Sequence, residues 1–181
     1  MHLLATRPGQ IDDGSAAVDL GQTPGDIVVL SAADTEIACL AAAQAGLVAE
    51  DERQPSLRLA NLLRLGHHLS VDTFVDAVAG EARLVIVRLL GGRGYWPYGV
   101  EQIAAIAAER GIAVAFLPGD DQPDPELAEL STVSAEAWHR LWQYLVHGGI
   151  DNAAQFLRFA ASLIGRTREW REPKPLLRAG I

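Results

Sequence analysis

Cysteine is almost absent. Cys39 is the only one in 181 residues, so no disulfide can close within the chain and no multi-thiolate zinc site can form in it. Lysine is equally scarce, with Lys174 alone, and the arginines form no basic block in a chain of net charge -8. Neutralising phosphates takes clustered cations, so a nucleic-acid-binding face is not expected. No stretch approaches the ~20 apolar residues that span a bilayer. The short apolar start, Met1 to Arg7, lacks a basic leader and a long hydrophobic segment, and so does not read as a secretory signal. A cytoplasmic location fits these features. The glycines do not form a dinucleotide fingerprint, and no Walker lysine follows them.

Apolar residues are plentiful: at 49% hydrophobic, a chain of this length can bury a core without staples. Three short β-branched runs read as buried strands, Ile27–Leu30, Leu84–Leu90 and Ile112–Leu117. Their continuous rather than alternating hydrophobicity suits a parallel sheet covered on both faces. His2–Thr6 and Leu57–Asn61 are weaker candidates, for a total of about five strands. Helical periods fall between the runs. Asp34 can cap a helix with Ile37, Leu40, Ala41 and Ala45 inward and a stop at Gly46. Ser70 can cap a second that ends at Gly80, and a third runs from Tyr98 to Arg110 before Gly111. The alternation predicts a doubly wound α/β domain of Rossmann or flavodoxin-like type over residues 1–130.

Two consecutive helices follow, capped by Ser134 and Asp151. Without a strand between them they predict an antiparallel hairpin over 131–166 packed on that domain. Residues 167–181 have linker composition and are expected to lead toward a further region.

In such a sheet ligands bind beyond the carboxyl ends of the strands. Four loops there carry candidates. Ser31 and Asp34 follow the first strand, as a ligand contact or as a cap and turn. His67, beside His68, opens the second helix; it reads as a donor to a ligand carboxylate, a metal ligand, or a helix-entry hydrogen bond. Gly91, Gly92, Arg93, Tyr95, Trp96 and Tyr98 follow the strongest strand. The glycines allow close backbone approach, Arg93 can pair with a carboxylate, and the aromatics can stack on a flat ring or pack on another domain. Asp120 and Asp121 follow the last strand, as hard-cation ligands or as turn formers. Cys39 reads as a small apolar filler, and His139, His147, Trp138 and Trp142 as structural. No nucleophile–base constellation can be drawn from the spacing.

Several ordered segments resemble one family. Gly21–Asp26 leading into Val29–Glu36, Ser56–Leu62, His67 with Ser70–Asp72, Val87–Gly92 with Tyr95–Gly99, and Leu117–Asp121 with Pro123–Leu127 are similar to the start of the cobaltochelatase large subunit, CobN. The resemblance covers most of the chain. It implies kinship with the magnesium-chelatase large subunit. It also implies a role in binding tetrapyrrole and metal while separate AAA+-type subunits hydrolyse ATP with Mg²⁺. The reaction is then ATP-dependent insertion of Co²⁺, as substrate, into hydrogenobyrinic acid a,c-diamide in aerobic cobalamin biosynthesis. On this reading the chain is a fragment without activity alone and without a tightly bound cofactor. Its partners are the remaining large-subunit domains and the ATPase subunits. The tetrapyrrole-contact candidates are His67, Gly91, Gly92, Arg93, Tyr95, Trp96 and Tyr98; no catalytic residue or metal ligand is assigned. The alternative is a non-catalytic scaffold that docks partner subunits or the other large-subunit domains.

Overall fold

The structure, a computed structural model, describes residues 16–166 and 169–175. Four of the expected strands fall in the described residues: β1 (Ile27–Ser31), β2 (Leu57–Asn61), β3 (Leu84–Leu89) and β4 (Ala113–Pro118). The remaining candidate, His2–Thr6, lies outside the described residues. All pairings are parallel, in the order β2-β1-β3-β4. Between the strands run α1 (Asp34–Glu50), α2 (His68–Ala77) and α3 (Pro97–Arg110). After β4 come α4 (Pro125–Leu130), α5 (Ala135–His147) and α6 (Ile150–Leu163).

Both sheet faces are covered, which is why the strands read as unbroken apolar runs. Side chains alternate across the pleat. Val28, Leu30, Val85, Val87 and Phe116 pack with Phe74 and Val75 of α2 and Val100 and Ile103 of α3. Ile27, Val29, Leu84, Ile86 and Leu117 pack with Leu40 and Leu47 of α1, Leu141 of α5 and Phe156 of α6. The doubly wound α/β architecture is therefore the one the alternation predicts, and the α5–α6 hairpin shares the second face with α1.

Local assignments differ in instructive ways. Helix α1 runs through Gly46 to Glu50, and its N-cap position is Ala33, without a side-chain cap. Its buried face is Leu40, Ala43 and Leu47, while Ala41 and Ala45 are exposed. In an alanine-rich run nothing local selects a face, and the two leucines seven residues apart do. Helix α2 is capped by His67, whose Nδ1 accepts from the Leu69 amide at 3.1 Å. Ser70 is inside the helix and buried, its Oγ accepting from the Val18 amide at 2.7 Å. The helix ends at Ala77, before a 3₁₀ turn over Ala79–Glu81. Ser134 caps α5 as expected, accepting from the Ala137 amide. At α6 the N-cap position is Gly149, and Asp151 instead pairs with Arg171. Helix α4 has no counterpart in the expected elements: Asp124 caps it and Pro125 opens it.

Residues 169–175 retrace α6 in reverse. The Trp170 ring meets Phe159 edge-on at 4.9 Å, and the Arg171 amide donates to Gln155 Oε1. The Lys174 amide donates to Asn152 Oδ1. The buried Tyr144 hydroxyl donates to the Arg171 carbonyl, and burial, with Glu172 nearby, pushes its pKa up to about 12. Arg140 binds Glu172 through two 2.9 Å hydrogen bonds and lies 4.7 Å from the Trp170 ring centroid. Those bonds hold Glu172 below the usual carboxylate range.

Candidate functional site

The strand order reverses between β1 and β3: from β1 the chain moves to β2 on one side, then crosses back to β3 and β4 on the other. A crevice opens at such a switch point beyond the carboxyl ends of the strands. Here it holds a cleft of about 210 Å³ between Ser31–Ala33 at the end of β1, Leu90 and Tyr95 after β3, and Gly119 after β4. A second cleft, of about 420 Å³, continues between α1 and the α5–α6 turn, lined by Thr35, Glu36, Cys39, Gly148 and Gly149 among others. Ala33 and Arg88 border both.

Arg88 organises this edge, and sequence reading missed it inside an apolar strand run. The pleat puts it on the same face as Leu84 and Ile86, and its side chain is 13% exposed. Nε and Nη2 donate to the carbonyls of Pro118 and Gly119, each at 3.2 Å. Nη1 reaches the Leu145 carbonyl and pairs with Glu36 Oε2. One guanidinium thus clips the ends of β3 and β4 to α1 and α5. Burial pulls the Arg88 pKa below its ordinary value. Glu36 Oε1 is buried without a hydrogen-bond partner. A charged residue interrupting a buried strand just before its carboxyl end was the available signal.

The sequence candidates divide between cleft, surface pairs and core. Ser31 and Tyr95 border the smaller cleft; Ser31 Oγ accepts from the Ala33 amide, while Tyr95 is 41% exposed. Gly91 and Gly92 take φ of 95° and 75°, so the turn out of β3 requires them. A Cβ on Gly92 would also meet Asp124 Oδ2 at 2.9 Å. Arg93 faces Glu126 at 3.6 Å, both exposed. Tyr98 stacks on His68, centroids 3.8 Å apart, and donates to Asp72 Oδ1. That bond raises its pKa above the usual phenol value. His67 is occupied as the α2 cap.

Trp96 corrects the expectation of a stacking surface. It is buried, its Nε1 donates to the Leu65 carbonyl at 2.8 Å, and its ring lies over Gly99, where a Cβ would come within 2.0 Å. Asp34 accepts from Asn61 Nδ2, tying β2 to α1. Asp120 and Asp121 follow the turn reading. Asp120 Oδ1 accepts from the Gln122 amide, and Asp121 Oδ1 from the Gln122 side chain. Among the described residues no three His, Cys, Asp or Glu side chains converge as a metal-binding group. Cys39 is half-buried at the larger cleft. Trp138 and Trp142 anchor α5 by donating to the carbonyls of Phe116 and Asp120. His139 lies edge-on to Trp142, and with His147 it borders a hollow beside Glu172 and Pro173. No described helix is long and apolar enough to cross a membrane.

No family model matches the chain. Two curated proteins do, both described as aerobic cobaltochelatase subunit CobN. The protein from a Sinorhizobium species is 48% identical over 181 residues, and that from Pseudomonas aeruginosa is 48% identical over 184. Each alignment covers 100% of this chain but 14% of the relative, at its amino-terminal part. Among solved structures, the catalytic subunit of cobaltochelatase from Mycobacterium tuberculosis superposes with a TM-score of 0.67 at 25% identity. The match covers 83% of this chain and 11% of that one.

Proposed function

We propose, from the premise that this chain corresponds to the amino-terminal part of a cobaltochelatase large subunit, that it forms an α/β wall of the tetrapyrrole site. In this role it serves insertion of Co²⁺ into hydrogenobyrinic acid a,c-diamide. The carrying observation is the 48% identity to CobN proteins over the whole chain. The geometry adds a cleft at the switch point, where doubly wound sheets bind ligands, bordered by the exposed Tyr95 ring.

Insertion requires a deformed macrocycle, loss of its inner N–H protons and partial dehydration of the metal. These steps need a base and metal ligands, which we assign to other parts of the large subunit. Binding and orientation are the work of this chain. Tyr95 can lie against the ring, and its Gly91–Gly92 hinge brings backbone close to the ligand edge. Arg93 and His67 are peripheral contacts, available to ligand carboxylates once Glu126 and the α2 cap are displaced. Tyr98 is held on His68 as support. Trp96 positions the loop from beneath. ATP and Mg²⁺ act on the AAA+-type partner subunits, in the cytoplasm.

Cobalt insertion by the reconstituted complex tests this reading. Tyr95→Ala is expected to lower the insertion rate at limiting macrocycle while leaving subunit assembly intact. Unchanged insertion kinetics would overturn it. A second reading, a scaffold that docks other domains, is favoured by the apolar side chains exposed along the same edge.

A further inference from the structure

Six large hydrophobic residues are exposed among the described residues: Val48, Leu63, Leu69, Leu90, Tyr95 and Ile150. Five of them lie at one end of the molecule. Leu63 follows β2, Leu69 sits in the first turn of α2, and Leu90 and Tyr95 follow β3. Ile150 opens α6 at the same end, because α5 runs along β4 and finishes beyond it. Trp138 bonds to Phe116 within β4, Trp142 to Asp120 past its end, and Leu145 to Arg88. Only Val48, at the far end of α1, lies elsewhere. Scattered exposed apolar residues need no explanation, but a concentration at one edge marks a contact surface.

The path of the chain reaches the same edge. Helix α6 carries it away, so that Gly165 comes near Arg83, just before β3. Residues 169–175 then return beside Phe159, Gln155 and finally Asn152. At the end of this strap Asn152 Nδ2 donates both to the Gly148 carbonyl and to the Lys174 carbonyl, each at 2.8 Å. The chain is thereby delivered beside the α5–α6 turn, where Pro173 and Pro175 border the hollow that includes His147. An aromatic contact, an ion pair and several part-buried hydrogen bonds hold the strap in that placement.

We infer that the carboxyl edge of the sheet is an intramolecular docking surface, covered by the large-subunit segment that follows this one. Leu63, Leu69, Leu90 and Ile150 insert into that segment, and the strap directs the chain toward that end of the molecule. This rests on reading the chain as part of a large subunit, whose curated examples extend far beyond it. It does not rest on Tyr95 touching a macrocycle. The switch-point cleft then lies at the seam between two regions of one protein, where small-molecule sites commonly form.

Cysteine accessibility in the complete large subunit, without macrocycle, tests the inference. Leu69→Cys, Leu90→Cys, Ile150→Cys and Val48→Cys are labelled with a maleimide, and each site is followed by peptide mass spectrometry. The three edge cysteines are expected to react at least ~10-fold more slowly than the one at position 48. A short bifunctional reagent should join them to peptides downstream of this segment in the same chain. Equal labelling at all four sites overturns the inference, as do crosslinks leading to a second copy or to an ATPase subunit. Failure of the macrocycle reading leaves this result untouched, because no ligand is present.

Discussion

Asn152 and Lys174 exchange two hydrogen bonds: the Asn152 carboxamide oxygen accepts from the Lys174 amide at 2.9 Å, and its nitrogen donates to the Lys174 carbonyl at 2.8 Å. A side chain here pairs with backbone as a neighbouring strand would. Asn152 is 3% exposed, so neither partner is readily replaced by water.

Asn152→Ala is therefore expected to release the strap while leaving the sheet folded. The cost is about 1–3 kcal/mol for unmade buried hydrogen bonds. Trypsin should cut after Arg171 markedly faster than in the wild type, with little change elsewhere. Unaltered cleavage there would show that the contacts of Trp170, Arg171 and Glu172 hold the strap without Asn152.

Arg88→Met removes the clip between β3, β4, α1 and α5 and strands the Glu36 carboxylate. Breaking one half of a buried pair costs about 3–5 kcal/mol. The double variant Arg88→Met with Glu36→Gln should be less destabilised than the sum of the two single changes. Urea unfolding of the four proteins measures the coupling.

Gly99→Ala places a methyl against the Trp96 ring, and overpacking of this kind costs about 1–3 kcal/mol. Trp96→Ala removes a core aromatic and should cost about 3–5 kcal/mol. Thermal unfolding should report both as stability losses, so lost function in either variant is no evidence of a ligand contact.

Much of this was legible in the sequence. The strand runs stood out because both sheet faces are buried, and Gly111 stopped α3 in the left-handed conformation that favours glycine. The cap of α2 was misplaced because an imidazole nitrogen can do what a serine hydroxyl usually does, and Ser70 was claimed by Val18. Trp96 resembled its exposed neighbour Tyr95 in a glycine-rich loop, and its burial depends on a bond to the Leu65 carbonyl that sequence spacing does not reveal. Arg88 was hidden for a related reason. Its partners are backbone carbonyls and a glutamate 52 positions away, contacts that sequence spacing does not reveal.

Acid should weaken the amino end of the sheet. Burial works to raise the Asp26 pKa, but the Ser56 hydroxyl and amide that it accepts from, with the charges of Arg166 and Arg83, outweigh this and hold it below the usual carboxylate range. A carboxylate with a depressed folded pKa contributes stability above its unfolded value and loses it as the pH falls through the folded one. The stability gap between wild type and Asp26→Asn should therefore hold steady above about pH 5 and close below it. Urea midpoints across that range check the trend.

Tyr95, beside the β1–β3 switch point, is the proposed contact of this chain with the macrocycle. Calorimetric titration of hydrogenobyrinic acid a,c-diamide into the complete large subunit, with and without Tyr95→Ala, tests it most directly. Saturable binding is expected, weakened roughly tenfold by the substitution through the loss of one aromatic contact. An unchanged Kd in a folded Tyr95→Ala protein would contradict it and leave this segment as scaffold.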